Sequence, residues 1–169
     1  MKLRHLFFAC SGVFVMMFSL LLLVVIVFSD EEDGGSGGNL IYGGVSVSQE
    51  VLAHKPMLEK YAREYGIEEY LNVLLAIIQV ESGGTLEDVM QSSESLGLPP
   101  NSLSTEESIK QGCKYFSELL AAAEAKGCDL NSVVQSYNYG GGFLDYVAGR
   151  GKKYTFELAE SFARDKSGG

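Results

Sequence analysis

Glu81 closes the most apolar run outside the N-terminal segment, "LNVLLAIIQVE" at residues 71 to 81, and Ser82, Gly83 and Gly84 come directly after it. At the C-terminal end of an apolar helix, desolvation and the negative end of the helix dipole both oppose ionisation of a carboxyl group and raise its pKa. A carboxylic acid that keeps its proton near neutral pH is what a glycosidase needs to protonate the leaving oxygen of a sugar linkage. Position alone is equally served by a helix-terminal Glu that reaches water.

The stretch "EDVMQSSES", residues 87 to 95, brings three more acids close in sequence, Glu87, Asp88 and Glu94. Asp88 and Glu94 are candidates for the second carboxylate that most glycosidases use to activate water or to stabilise an oxocarbenium-like transition state. Glu94 could equally be a structural acid that bonds the loop backbone. Met90 is suited to pack beneath a cleft, while Gln91, Ser92 and Ser93 offer neutral donors and acceptors of the kind that hold sugar hydroxyls and N-acetyl groups. Further along, Tyr137 and Asn138 end a helical pattern before Gly140, Gly141 and Gly142, where a plain helix-to-helix turn would also account for them.

Taken together, "ESGG", "DVMQSSES" and "QSYNYGGGF" resemble, in order and spacing, the Glu-Ser, Met-Gln and Tyr-Asn signatures of the goose-type lysozyme and lytic transglycosylase superfamily. The closer likeness is to the lysozyme-like domain of CwlT-type cell-wall hydrolases of Gram-positive bacteria and their conjugative elements. With "PPNSLSTEESIKQG" and "GKKYTFELAESFA", that likeness covers about residues 46 to 166. The resemblance implies a compact helical fold that cleaves the β-1,4 bond between N-acetylmuramic acid and N-acetylglucosamine. It implies Glu81 as the acid, with Asp88 at the position of the family's second acidic residue. By the same token Ser82, Met90, Gln91, Tyr137 and Asn138 would line the glycan cleft.

The chain departs from the transglycosylases at two points: Asp88-Val89 stand where Gly-Leu usually precedes Met-Gln, and Ser136 stands where Ala precedes Tyr-Asn. The resemblance therefore implies a hydrolytic muramidase first. A lytic transglycosylase leaving 1,6-anhydro ends is the nearest alternative, and a non-catalytic wall-binding or secretion-assembly protein a third. Neither metal nor cofactor is called for: His54 has no second His outside the N-terminal segment and no Cys nearby.

The elements that would position these residues read as helices. Val51, Leu52, Met57, Leu58, Tyr61, Ala62 and Tyr65 recur at three and four, with Pro56 as a break and Gly66 as the end. Residues 67 to 81 are apolar almost all round after Leu71, which predicts a central helix packed on several sides. Residues 106 to 125 form a second long amphipathic pattern behind "STEE", a helix-starting sequence, and Gly127 ends it. Shorter helices are expected at 129–139, 143–148 and 155–163, and no strand or internal repeat is evident. Tyr61, Tyr65, Phe116 and Phe143 fall at core spacing. The expected class is all-α, a single compact lysozyme-like domain.

Residues 46–169 make up that domain; residues 1–29 and 30–45 read differently. Leu6 to Phe28 carries no charge and is about long enough to cross a bilayer. Lys2 and Arg4 precede it, and Asp30, Glu31, Glu32 and Asp33 come after it, so a signal anchor is expected with the N-terminus cytoplasmic and the domain extracellular. A cleaved signal peptide would have a shorter apolar region and a small-residue site, which "VIVFSDEED" lacks. Residues 30–45, rich in Gly, Ser and acids, read as a flexible tether. The expected partners are peptidoglycan strands, the membrane through the N-terminal helix, and a cell-envelope or DNA-transfer assembly.

Nucleic acid is disfavoured: residues 30 to 169 hold all 22 acids but 11 of the 13 bases, a formal charge of −11. Arg150, Lys152 and Lys153 read as a solvated turn. Cys113 and Cys128 would stand roughly 20 Å apart along a helix, too far for a disulfide.

Overall fold

The computed structural model describes residues 40–42 and 45–167. The expected anchor lies outside the described residues, as does most of the expected tether. Among the described residues no helix is long and apolar enough to cross a membrane.

Among the described residues a short hairpin precedes seven α-helices. Strand β1 (Leu40–Tyr42) pairs antiparallel with β2 (Val45–Val47), in the register Leu40 to Val47, Ile41 to Ser46 and Tyr42 to Val45. This corrects the expectation of no strand. Ile41, Tyr42, Val45 and Val47 are β-formers flanking a Gly-Gly dipeptide, a hairpin signal masked by the glycine- and serine-rich composition around it. The pairing also takes in residues that the sequence assigns to the tether.

Helices α1 (Gln49–Ala53) and α2 (Lys55–Glu64) divide the predicted first helix at His54, with Pro56 in the first turn of α2, where a missing N–H costs nothing. Gly66 ends this region with φ +68°, a conformation natural to glycine. A 3-10 turn at Glu68–Tyr70 leads into α3 (Leu71–Glu81), in which Val73 through Ile78 are all buried. Such all-round burial results from its position against β2, α1 and α2.

The longest helix, α4 (Thr105–Lys126), opens with a complete capping box in which Ser104 and Glu107 satisfy each other's backbone amides. It closes at Gly127 in the left-handed conformation. It packs on α2, where Tyr61 donates its hydroxyl to Glu106 at 2.6 Å, and on α5 (Leu130–Tyr139), capped by Asp129. Asp129 also receives the Tyr154 amide at 3.1 Å, pinning the loop that holds Arg150, Lys152 and Lys153.

Helices α6 (Gly142–Ala148) and α7 (Phe156–Ser167) complete the fold. The main core runs from Val47 to Leu144 and includes Tyr61, Phe116 and the buried face of α3, with Tyr65 packed at its edge. Phe143, Val147, Ala159 and Phe162 form a separate small cluster flanked by Tyr139, Tyr146 and Tyr154. Cys113 and Cys128 are both free thiols.

Candidate active site

Glu81 is the last residue of α3 and stands half-buried. Burial pushes its carboxyl up to about 7, helped by the nearby charges of Glu94 and Asp88. Ser82 ends the helix and organises the turn beyond it. Its Oγ donates to the Val89 carbonyl at 2.7 Å and accepts from the Gly84 amide at 3.0 Å. The end of α3 is thereby tied to the loop that carries the other candidate residues.

In that loop Asp88, Val89 and Met90 are all 0% exposed. One Asp88 oxygen, Oδ1, accepts from the Ser92 amide at 3.0 Å and from the Ser108 hydroxyl at 2.6 Å; Oδ2 accepts from the Ser93 amide at 3.2 Å. Asp88 thus binds the first amides of the short 3-10 turn at Ser92–Leu96, as a helix-capping side chain does. The expectation was that Asp88 assists an attacking water; the geometry gives it a loop-organising set of bonds. Both of its oxygens are committed inside the protein, and no face of it is open to solvent.

Ser92 and Ser93, expected to meet sugar hydroxyls, are also turned inward. Ser92 donates its hydroxyl to the Ser108 carbonyl at 2.9 Å, and the buried Ser93 hydroxyl has no protein partner. Glu94, one residue further on, is exposed. Gln91 takes the left-handed conformation at φ +48°, which is uncommon for a residue with a Cβ. Its Nε2 donates to the Asp88 carbonyl at 2.9 Å and to Asn101 Oδ1 at 2.7 Å, and these bonds hold the strained residue in place.

Met90 lies beneath the loop as expected, fully buried, and its carbonyl accepts the Tyr137 hydroxyl at 3.1 Å. That bond brings the third sequence signature onto the second. The Tyr137 hydroxyl titrates well above its ordinary range because it is buried and because Glu81 adds negative charge nearby, so it remains a donor. Asn138 has a buried Nδ2 without a protein partner.

Two residues within "PPNSLSTEESIKQG" that the sequence does not single out complete the arrangement. Ser108, on α4, bonds Asp88, receives Ser92 at its carbonyl, and accepts the Met90 amide at 3.0 Å through its hydroxyl. Gly112, one turn further on, leaves room for both other partners: a Cβ there would lie 2.5 Å from Met90 Sδ and 2.9 Å from the Tyr137 hydroxyl. A serine and a glycine inside a long amphipathic helix carry no local signal of such contacts. Among the described residues no group of three His, Cys, Asp or Glu side chains converges as a metal site would.

A family model described as Lysozyme-like matches residues 48–169. The chain belongs to the lysozyme-like family. This lysozyme-like domain is of the CwlT type, being 44% identical over 124 residues to the bifunctional muramidase/DL-endopeptidase CwlT of Bacillus subtilis, across 73% of this chain and 37% of that protein. It is 37% identical over 121 residues to the uncharacterized membrane protein YocA of the same organism, across 71% of this chain and 54% of that one. A solved structure from Staphylococcus aureus, described as similar to lipoprotein, NLP/P60 family, superposes with a TM-score of 0.74 and 75% identity, over 75% of this chain and 43% of that one. The chain thus spans about half the length, or less, of these relatives.

Proposed function

We propose that the lysozyme-like domain is a peptidoglycan-cleaving N-acetylmuramidase, hydrolysing the β-1,4 bond between N-acetylmuramic acid and N-acetylglucosamine, with Glu81 as general acid. The observation that carries this reading is the half-buried Glu81 carboxyl at the end of α3, with its pKa raised to about 7. A carboxyl so tuned is protonated often enough to give its proton to the glycosidic oxygen, and its carboxylate can then take one back. The muramidase name of the CwlT relative supports the same substrate class.

In this reading Asp88 shapes the loop, and Glu94, exposed and close enough for its charge to raise Glu81, is the carboxylate with access to water. Gln91 and Asn138 border the glycan site with their amide nitrogens turned into the protein, and Met90 and Tyr137 form the floor. The enclosure of Asp88 favours a second reading, lytic transglycosylase action, because there the sugar's own hydroxyl attacks and one acid suffices. We place the domain outside the cell membrane, held by the apolar segment Leu6 to Phe28.

The test is to incubate the full chain in detergent micelles with purified peptidoglycan, beside Glu81→Gln, and to identify the released ends by mass spectrometry. Reducing N-acetylmuramic ends that vanish in the variant are expected. Anhydro ends would assign the transglycosylase reaction, and digestion by Glu81→Gln at the normal rate would overturn the role of Glu81.

A further inference from the structure

The turn after Glu81 is gripped from outside by a stretch that takes no other part in the site. Ser48 and His54 flank α1 on either side. The Ser48 amide donates to Gln79 Oε1 at 2.7 Å, and Ser48 Oγ donates to the Gly83 carbonyl at 3.4 Å. His54 Nε2 lies 2.9 Å from the Gly84 carbonyl, and since a carbonyl only accepts, the ring carries its proton on Nε2 in this bond. The carbonyls of Gly83 and Gly84 lie past the end of α3, where no helical N–H reaches them.

The backbones themselves also meet. A Cβ at Gly84 would stand 2.7 Å from both the Glu50 carbonyl carbon and the Val51 nitrogen, and its φ of +77° independently suits glycine. On the opposite side Ser82 is bonded to Val89. The Glu81 turn is therefore held between α1 and the Met90 loop.

We propose that residues 48 to 54 act as a positioning clamp for the Glu81 carboxyl, with the bond from His54 to the Gly84 carbonyl as its directional contact. The proposal rests on the reading of Glu81 as general acid. His54 touches no substrate in it; it acts through the turn. Fixing the turn keeps Glu81 at the depth where water is scarce, and depth is what sets its proton affinity.

The test uses the full chain in detergent micelles and compares His54→Leu, which removes the donor, with His54→Gln, whose amide nitrogen reaches about as far as Nε2. In His54→Leu the Glu81 titration tracked by NMR should fall toward the ordinary carboxyl range by about half a pH unit or more. Hydrogen exchange at residues 82 to 84 should accelerate about tenfold, and kcat on peptidoglycan should drop about three- to tenfold at unchanged KM. His54→Gln should restore all three. If His54→Leu does not fold, Ser48→Gly removes the bond to Gly83 while leaving a tolerable helix cap, and should give the same titration and exchange changes.

Unchanged titration and exchange in the variant lacking a donor would overturn the clamp, as would a His54→Gln protein as impaired as His54→Leu. If even the unaltered chain releases no product, the muramidase reading fails, and the titration and exchange still decide the clamp.

Discussion

Ser108 donates its hydroxyl to Asp88 across 2.6 Å in the protein interior, joining the first turn of the longest helix to a loop that precedes it in sequence. The same hydroxyl oxygen accepts the Met90 amide, so a single side chain sets both the acid and the residue two places after it. Replacing Ser108 by Ala leaves a buried carboxylate oxygen and a buried amide each short of a partner. A loss of roughly 2–4 kcal/mol in urea unfolding is expected, larger than for an average serine truncation. Ser108→Ala should also lower wall-degrading activity at temperatures where the protein is still folded, because the Met90–Gln91 backbone loses its anchor.

Asp88→Asn is the sharper comparison. It keeps the shape and an acceptor for Ser108, yet either orientation of the amide sets a donor against an N–H that now meets an oxygen. If Asp88 organises the loop, stability and activity should fall together in Asp88→Asn. A variant of normal stability whose activity alone collapses would return Asp88 to a direct catalytic role.

Gly112→Ala tests how closely α4 approaches the floor of the site. The new methyl would meet the far end of the Met90 side chain and the Tyr137 hydroxyl. Overpacking of this kind costs about 1–3 kcal/mol, partly relieved if Met90 changes rotamer. The bond from Tyr137 to the Met90 carbonyl should lengthen, and the signature should be a fall in kcat beyond that of a variant equally destabilised elsewhere in the core. Equal activity at equal stability would remove Gly112 from the site.

The direction of the Glu81 shift sets the pH dependence. A general acid must hold its proton, so kcat/KM should decline as pH rises through the Glu81 value of about 7. The negative charge of Glu94 helps to raise that value, so Glu94→Gln should move the declining limb toward lower pH. A pH-rate profile for the two proteins reads this directly. A limb that stays put would mean that Glu94 does not act on Glu81.

Stability should carry the same proton. The folded state binds the Glu81 proton more tightly than the unfolded chain, so stability falls as pH rises from about 4.5 through about 7. Glu81→Gln has no such proton to lose. It should be more stable than the unaltered protein at pH 8, by roughly 3 kcal/mol at most, and the difference should disappear near pH 4. Chemical denaturation at the two pH values measures it. A Glu81→Gln protein less stable at pH 8 would mean that the ionised carboxylate is well accommodated.

The helices were legible in the sequence because their signals are local. Pro56, Gly66, Gly127 and the Ser104 capping box each mark a boundary through one or a few residues. Glu81 was legible too, since its setting is the end of its own helix. The surroundings of Asp88 were not legible. An acid between a helix end and a polar run reads the same whether it faces a cleft or caps the next turn, and its enclosure comes from α4 arriving with Ser108. The hairpin at Leu40–Val47 was missed because its strands are three residues each, too short for alternation to stand out from a glycine-rich background. The partner of His54 is a backbone carbonyl, which no pattern of side chains reveals.

The division of the interior into two clusters has a consequence for how the molecule comes apart. Glu81, Met90 and Tyr137 all belong to the part built on the main core, whereas α7 is held through Phe162 and Ala159 to the small aromatic cluster beside α6. Local opening free energies track local packing, so the last helix should detach and redock many times for each global unfolding event. Within the domain, a protease supplied in traces would then cut around residues 149 to 155 once the last helix detaches, where Gly151 and Lys152 adopt left-handed backbone, and the large fragment would keep the acid and its loop assembled.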